Sequence, residues 1–230
     1  MATLSDPEFG DITVVRSGLA SRVSARITPA GALKITLPRL APLMAAKMLL
    51  RTSRTQLRQL LAEHQATHAY RASQPIGKSH HLLIERGSRT ATVTTAGTTI
   101  IATVPDSQSI TAPTIQAPIR QAVLKALRKE AKHYLPRRLA TLAERHGFSY
   151  DAVRLMHASS RWGSCSSRGT ISLNIALMNL PFELIDYVLL HELAHTQQMN
   201  HSPAFWHIVK SVSPHYATHR RALKQHTPHI

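Results

Sequence analysis

The 230-residue chain has a single cysteine, Cys165, and few acids: seven Glu and five Asp against 28 Lys and Arg. One thiol excludes an intramolecular disulfide framework. It also excludes zinc sites built on four cysteines, or on two cysteines and two histidines. No zinc finger, RNP motif or P-loop occurs. No apolar run approaches the roughly 20 residues of a membrane span. The best stretch, residues 43–50, is interrupted by Lys47. Residues 1–8 are polar and acidic, without the basic start and apolar run of a secretory signal. The expectation is a cytoplasmic protein that does not enter a membrane, and a lone thiol suits a reducing compartment.

What is present bounds the answer from the other side. Hydrophobic residues make up 43% of the chain, too many for a disordered polymer. The length allows one large domain or two small ones. The formal charge of +16 predicts attraction to polyanions and says nothing of fold.

Alternating and β-branched residues predict strands over 11–15, 20–28 and 33–37, with a turn at Thr28-Pro29-Ala30-Gly31. Leu43, Ala46, Leu50, Leu57, Leu60 and Leu61 keep a helical period, so residues 40–67 read as one long helix with Arg51, Arg54 and Arg58 as a basic stripe. Short Thr- and Ile-rich strands over 81–85, 90–95 and 98–104 suggest a small antiparallel sheet or partly open barrel. Pro105, Pro113 and Pro118 read as a linker. A second long helix is expected over 119–146, kinked or split at Pro136 and stopped at Gly147. A strand over 153–158 and a hairpin over 162–174 come next. Pro181 then opens a helix, and two more start near Ser202-Pro203 and Ser213-Pro214. No internal repeat is visible. This order predicts an α+β fold, divided into a β-rich region with one long helix (1–118) and a second region (119–230).

The chemistry lies in the helix after Pro181, which contains His191-Glu192-Leu193-Ala194-His195. Four residues are about 400° of helix, so the two imidazoles project from one face, one turn apart. They can occupy two corners of a zinc tetrahedron. Glu192 lies about 100° around the helix. There it can reach a water at the metal without ligating it, which suits a general base.

No Asp or Glu occurs after Glu192, so a downstream carboxylate ligand is impossible. The third ligand should be a histidine: His201, His207, His215, His219, His226 or His229. His201 is favoured. Six residues after His195 let the chain turn back, Gln197-Gln198-Met199-Asn200 is a plausible helix end, and Ser202-Pro203 starts the next helix. The same six-residue gap occurs in metzincins, but their glycine is replaced by Gln198, and no methionine comes after Met199 to make their methionine turn.

The residues around the motif resemble one family. Arg161-Trp162-Gly163-Ser164-Cys165-Ser166, Ile171-Ser172-Leu173-Asn174, Leu177, Pro181 and Tyr187-Val188 precede it. Asn200-His201-Ser202, Phe205-Trp206, Pro214, Tyr216 and Arg220 lie beyond it. This ordered set looks like the YgjP-like metallopeptidases, which are similar to the SprT-like and WLM zinc proteases. The resemblance is clear over about 159–223. It implies a zincin-like core with one zinc ion on His191, His195 and His201, and Glu192 as base.

Several neighbours carry two readings. Trp162, Gly163 and Ser164 either present a strand edge to an extended peptide or are a core tryptophan beside a bulge. Cys165 reads better as a packed thiol than as a nucleophile. Phe205, Trp206 and Val209 have the spacing of a buried helix face. Tyr216, His219 and Arg220 are possible donors to an oxyanion, and Arg220 could equally bind a carboxylate or phosphate. The basic run from Arg120 to Arg138 is either a solvated helix face or a surface for nucleic acid or nucleotide. Three functions fit the sequence: a zinc peptidase acting on protein or peptide, a zinc hydrolase of nucleotides or other phosphoanhydrides, and a nucleic-acid-associated zinc protein without turnover.

Overall fold

The computed structural model describes residues 2–28, 31–228 and 230, with the backbone alone for 64–68. The turn expected at Pro29-Ala30, and His229, lie outside the described residues. The chain forms two compact units, Met1–Ala69 and Tyr70–Ile230. The prolines of the sequence had pointed to a division at 118/119 instead.

In the first unit, strands β1 (Ala2–Asp6), β2 (Gly10–Ser17), β3 (Ser24–Ile27) and β4 (Leu33–Pro38) form a sheet of order β1-β2-β4-β3. β1, which the sequence pattern did not reveal, pairs with β2. Alternation places Ile12, Val14, Leu33, Ile35 and Leu37 in the core with Ala46, Leu50 and Leu57 from the helices. The long helix expected over 40–67 is two: α1 (Leu43–Thr52) and α2 (Arg54–His68). They meet at Ser53, whose ψ of 21° leaves the helical region. Just before it, the Thr52 hydroxyl donates to the Met48 and Leu49 carbonyls, a competition that weakens a helix locally. Two of the three arginines of the basic stripe are paired with acids. Arg54 binds both oxygens of Asp6 at 2.7 and 2.8 Å, and Arg58 pairs with Glu8.

The second unit begins with β5 (Pro75–Ile76), β6 (His80–Arg86), β7 (Thr92–Ala96) and β8 (Thr99–Val104), in the order β5-β6-β8-β7. The two four-stranded sheets share one topology, although no sequence repeat announces it. In each, the last strand inserts beside the second and runs parallel to it, and the other pairs are antiparallel. The expected antiparallel sheet is therefore mixed. Burial explains the order. β8 carries Ile100, Ala102 and Val104 into the core and takes the centre, whereas the mostly exposed β7 takes the edge.

Helix α3 (Pro113–His146) packs over this sheet. The expected linker is thus partly helix: Pro113 is in its first turn, where a missing N–H costs nothing. Pro118 and Pro136 lie inside it, and the helix continues through both. Each interior proline costs about 3 kcal/mol. Ten buried side chains, from Ile115 to Ala143, offset this, at about 1.5–3 kcal/mol for each large one. Gly147 ends the helix at φ 70°, as expected.

The third sheet, β10-β11-β9, has three strands. β9 (Ala152–Met156) runs parallel to β11 (Thr170–Asn174), and β10 (Gly163–Cys165) pairs antiparallel with β11 as the outer strand. Asn174 ties the end of β11 to the neighbouring loop and to a short 3₁₀ turn, Ile175–Asn179. Its amide donates to the Ala158 and Arg161 carbonyls, and its side-chain carbonyl accepts from Ala176 N–H at the start of that turn. The turn leads into α4 (Phe182–Ala194), α5 (Pro203–Val212) and α6 (Tyr216–Leu223). Among the described residues no helix is long and apolar enough to cross a membrane.

Candidate metal centre

α4 buries nine of its thirteen residues, Glu192 among them. It is anchored to α3 by Arg138, which grips the Asp186 carboxylate with two bonds of 2.7 and 2.5 Å. One member of the basic run is thus a clamp between helices. The apolar surroundings make polar side chains near the end of α4 costly unless they are matched.

His191 and His195 lie one turn apart and meet edge to face, with ring centroids 4.9 Å apart. The chain then turns and brings His201 back to them. One nitrogen from each of the three rings lies within 4.8 Å of the others. His201 Nε2 faces His191 Nε2 at 3.1 Å. For metal–nitrogen bonds of about 2.0–2.1 Å, a tetrahedron has edges of roughly 3.3–3.4 Å, so this spacing suits two corners. His195 Nδ1 sits 3.1 Å from the Gln198 carbonyl. A carbonyl can only accept, so Nδ1 carries the proton and Nε2 keeps its lone pair. Burial, aided by the neighbouring His195, His201 and Arg220, pushes His191 down to about 3. His195 is lowered as well, again mainly by burial. Neutral imidazoles are the ligand form, and three of them suit a zinc-like divalent ion.

The loop carrying His201 is braced. Gln198 Nε2 donates to Asn200 Oδ1 and Ser202 Oγ, Asn200 Oδ1 accepts from Ser202 N–H, and Ser202 caps α5. Beneath the cluster lies Phe205, fully buried. Its ring centroid is 4.9, 4.4 and 4.9 Å from those of His191, His195 and His201. The sequence pattern identified Phe205 only as core. It is also the floor of the cluster. Among the described residues the buried His191 Nδ1 has no hydrogen-bond partner, so Phe205, Trp206 and Tyr187 hold this ring by packing, at 4.9, 5.9 and 6.1 Å.

Glu192 is 6% exposed, and desolvation pushes its carboxyl up to about 8. Gly163 of β10 lies against it. A Cβ at position 163 would sit 2.6 Å from Glu192 Oε1 and 2.7 Å from its Cγ. Gly163 pairs regularly with Leu173, so it is not a bulge; the glycine is required by this close approach. Ser164 pairs with Ser172, and Trp162 packs half-buried against the core. Cys165 is raised by burial and then by the charge of Glu192, which keeps it a thiol.

Tyr216 and Arg220 reach the cluster through Trp206. The indole stacks on His201 (5.7 Å, 26°) and on Tyr216 (5.6 Å, 25°), and the Arg220 guanidinium lies 4.6 Å above it. The other histidine candidates, His207, His215, His219 and His226, are outside the three-histidine group. Helical periodicity assigned Trp206 to the core and missed this role; aromatic residues at 205, 206 and 216, flanking His201, were the available signal.

The family described as "YgjP-like, metallopeptidase domain" matches residues 21–226. Among solved structures, the chain is similar to the metallopeptidase zymogen of Pyrococcus abyssi abylysin, with 30% identity over 39% of this chain and 92% of that one, at a TM-score of 0.35. It is also similar to the zymogen of Methanocaldococcus jannaschii jannalysin, with 18% identity over 39% and 93%, at a TM-score of 0.35. No curated protein matches.

Proposed function

The chain belongs to the YgjP-like metallopeptidase family, and on that premise we propose that it hydrolyses peptide bonds with one zinc ion held by His191, His195 and His201 and with Glu192 as general base. The observation that carries this reading is the convergence of three imidazoles beside the buried Glu192 side chain. When bound, zinc supplies Lewis acidity, which makes water a nucleophile near neutral pH and polarises the scissile carbonyl. Burial alone leaves Glu192 largely protonated near pH 7; a dication on the three histidines would favour its ionised form, in which a carboxylate oxygen accepts the proton of the attacking water and then delivers it to the departing amine nitrogen. Gly163 keeps that carboxylate aimed by making room for it beside the strand.

The outer strand offers the substrate a place. Asn174 N–H bonds to the Trp162 carbonyl and Ser166 N–H to the Thr170 carbonyl. By antiparallel alternation, the backbone groups of Gly163 and Cys165 then point away from β11. An extended peptide can pair with them alongside Glu192. Tyr216, held by Trp206, is the donor available to a developing oxyanion.

Two variants test the assignment. Glu192→Gln should keep its zinc and lose about 10²–10⁴-fold in kcat; activity close to wild type would remove Glu192 from the base role. His201→Ala should lose zinc in elemental analysis; full occupancy would move the third ligand elsewhere.

A further inference from the structure

Beside the candidate metal centre, Tyr216, Ala217, Arg220, Arg221 and Lys224 line a recess of about 270 Å³. Three of these five residues are cations. Among the described residues none of the three has an acidic partner; the ion pairs lie elsewhere, on Arg54, Arg58, His80 and Arg138. No Asp or Glu side chain occurs in residues 193–230 to neutralise them locally. Trp206 links the recess to the candidate metal site: its ring stacks on His201 and on Tyr216, and the Arg220 guanidinium lies over it.

Resting on the peptidase reading, we infer that this recess is a subsite for a carboxylate of the substrate, close to the scissile bond. An arginine fixed over an indole loses little freedom when it binds a carboxylate, and its fork matches the two oxygens. Arg221 and Lys224 add charge of the same sign. The recess lies below the roughly 300–1,000 Å³ of pockets that enclose whole small molecules. That size favours one acidic group over an entire nucleotide. The carboxylate has two possible sources: an Asp or Glu side chain, or the C-terminus of the substrate.

The test uses the zinc-loaded full-length protein and quenched peptides whose cleavage point is first fixed by mass spectrometry. Matched pairs then carry Glu or Gln at each position flanking that bond, and further pairs end in a free acid or an amide. At one position, or at the C-terminus, the carboxylate member should be cleaved with about fivefold higher kcat/KM, as expected for an exposed pair of about 1 kcal/mol. That ratio should shrink towards one in Arg221→Gln and Lys224→Gln and in about 0.5 M salt. A Glu response assigns the subsite to a side chain, and a free-acid response to the C-terminus. Cleavage with no carboxylate preference anywhere overturns the subsite and leaves the peptidase standing, whether or not a nucleoside triphosphate competes. No cleavage of any peptide overturns both.

Discussion

Gly163 is defined by what its missing side chain makes room for. A methyl group there would overlap the Glu192 carboxyl and leave the three histidines untouched. Gly163→Ala should therefore cut kcat at least tenfold, since about 1 Å of misplacement can cost 10²-fold, while zinc content stays at the wild-type level. Loss of both together would mean that the strand, rather than the carboxylate, had moved. Much at this scale was legible in the sequence. His191, Glu192 and His195 are marked by helical spacing, a third histidine by the lack of any later acid, and His201 among the candidates by its six-residue gap and its place between two helices. The contact between Gly163 and Glu192 was not legible, because the two residues are brought together by packing of a strand on a helix, which no local spacing encodes. Phe205 illustrates the same limit. Its burial could be read from periodicity, but not that three imidazoles ring it.

The elements are fastened by carboxylates that the chain uses sparingly. Glu130 of α3 accepts N–H bonds from Lys78 and Ser79 and a hydroxyl from Ser79, and pairs with the buried His80 at 2.6 Å. Gly77 completes this clip. Its φ is +62°, and a Cβ there would strike Glu130. Burial alone would raise Glu130, but these hydrogen bonds hold it below the ordinary carboxylate value. A depressed folded-state pKa means that the stabilisation is present above the unfolded value and disappears as pH falls through the folded one. Glu130→Gln should thus destabilise by about 3 kcal/mol at neutral pH, and the gap from wild type should narrow below about pH 4.5. Denaturant melts across pH check this, and a constant gap would contradict it. Element types were readable from periodicity, but strand order was not, because it is decided by which strand buries the most on both faces. α3 shows a similar override: tertiary burial carries it through two prolines that, read locally, predict a linker and a break.

For the whole molecule, the two compact units have separate cores, and all the residues of the candidate site lie within 162–220, inside the second. Zinc should therefore raise the stability of one unit only. Urea unfolding with and without zinc should show a metal-dependent and a metal-independent transition; a single transition that shifts as a whole would show that the units unfold together. Pro113 and Pro118 imitate a linker and drew the division to 118/119, whereas the compact units divide after Ala69, just ahead of the break in pattern at Gln74-Pro75-Ile76-Gly77. The open side of β10, where a substrate would pair, also bears on solubility. An unpaired strand edge is a template for any chain, including another copy of this one. Here the edge is three residues long, and Arg161 and Arg168 stand beyond its two ends. The molecule carrying it repels its own kind with a formal charge of +16. That charge keeps copies apart only while it is unscreened, so high salt or a bound polyanion, by neutralising it, favours self-association through the same edge that substrate would occupy.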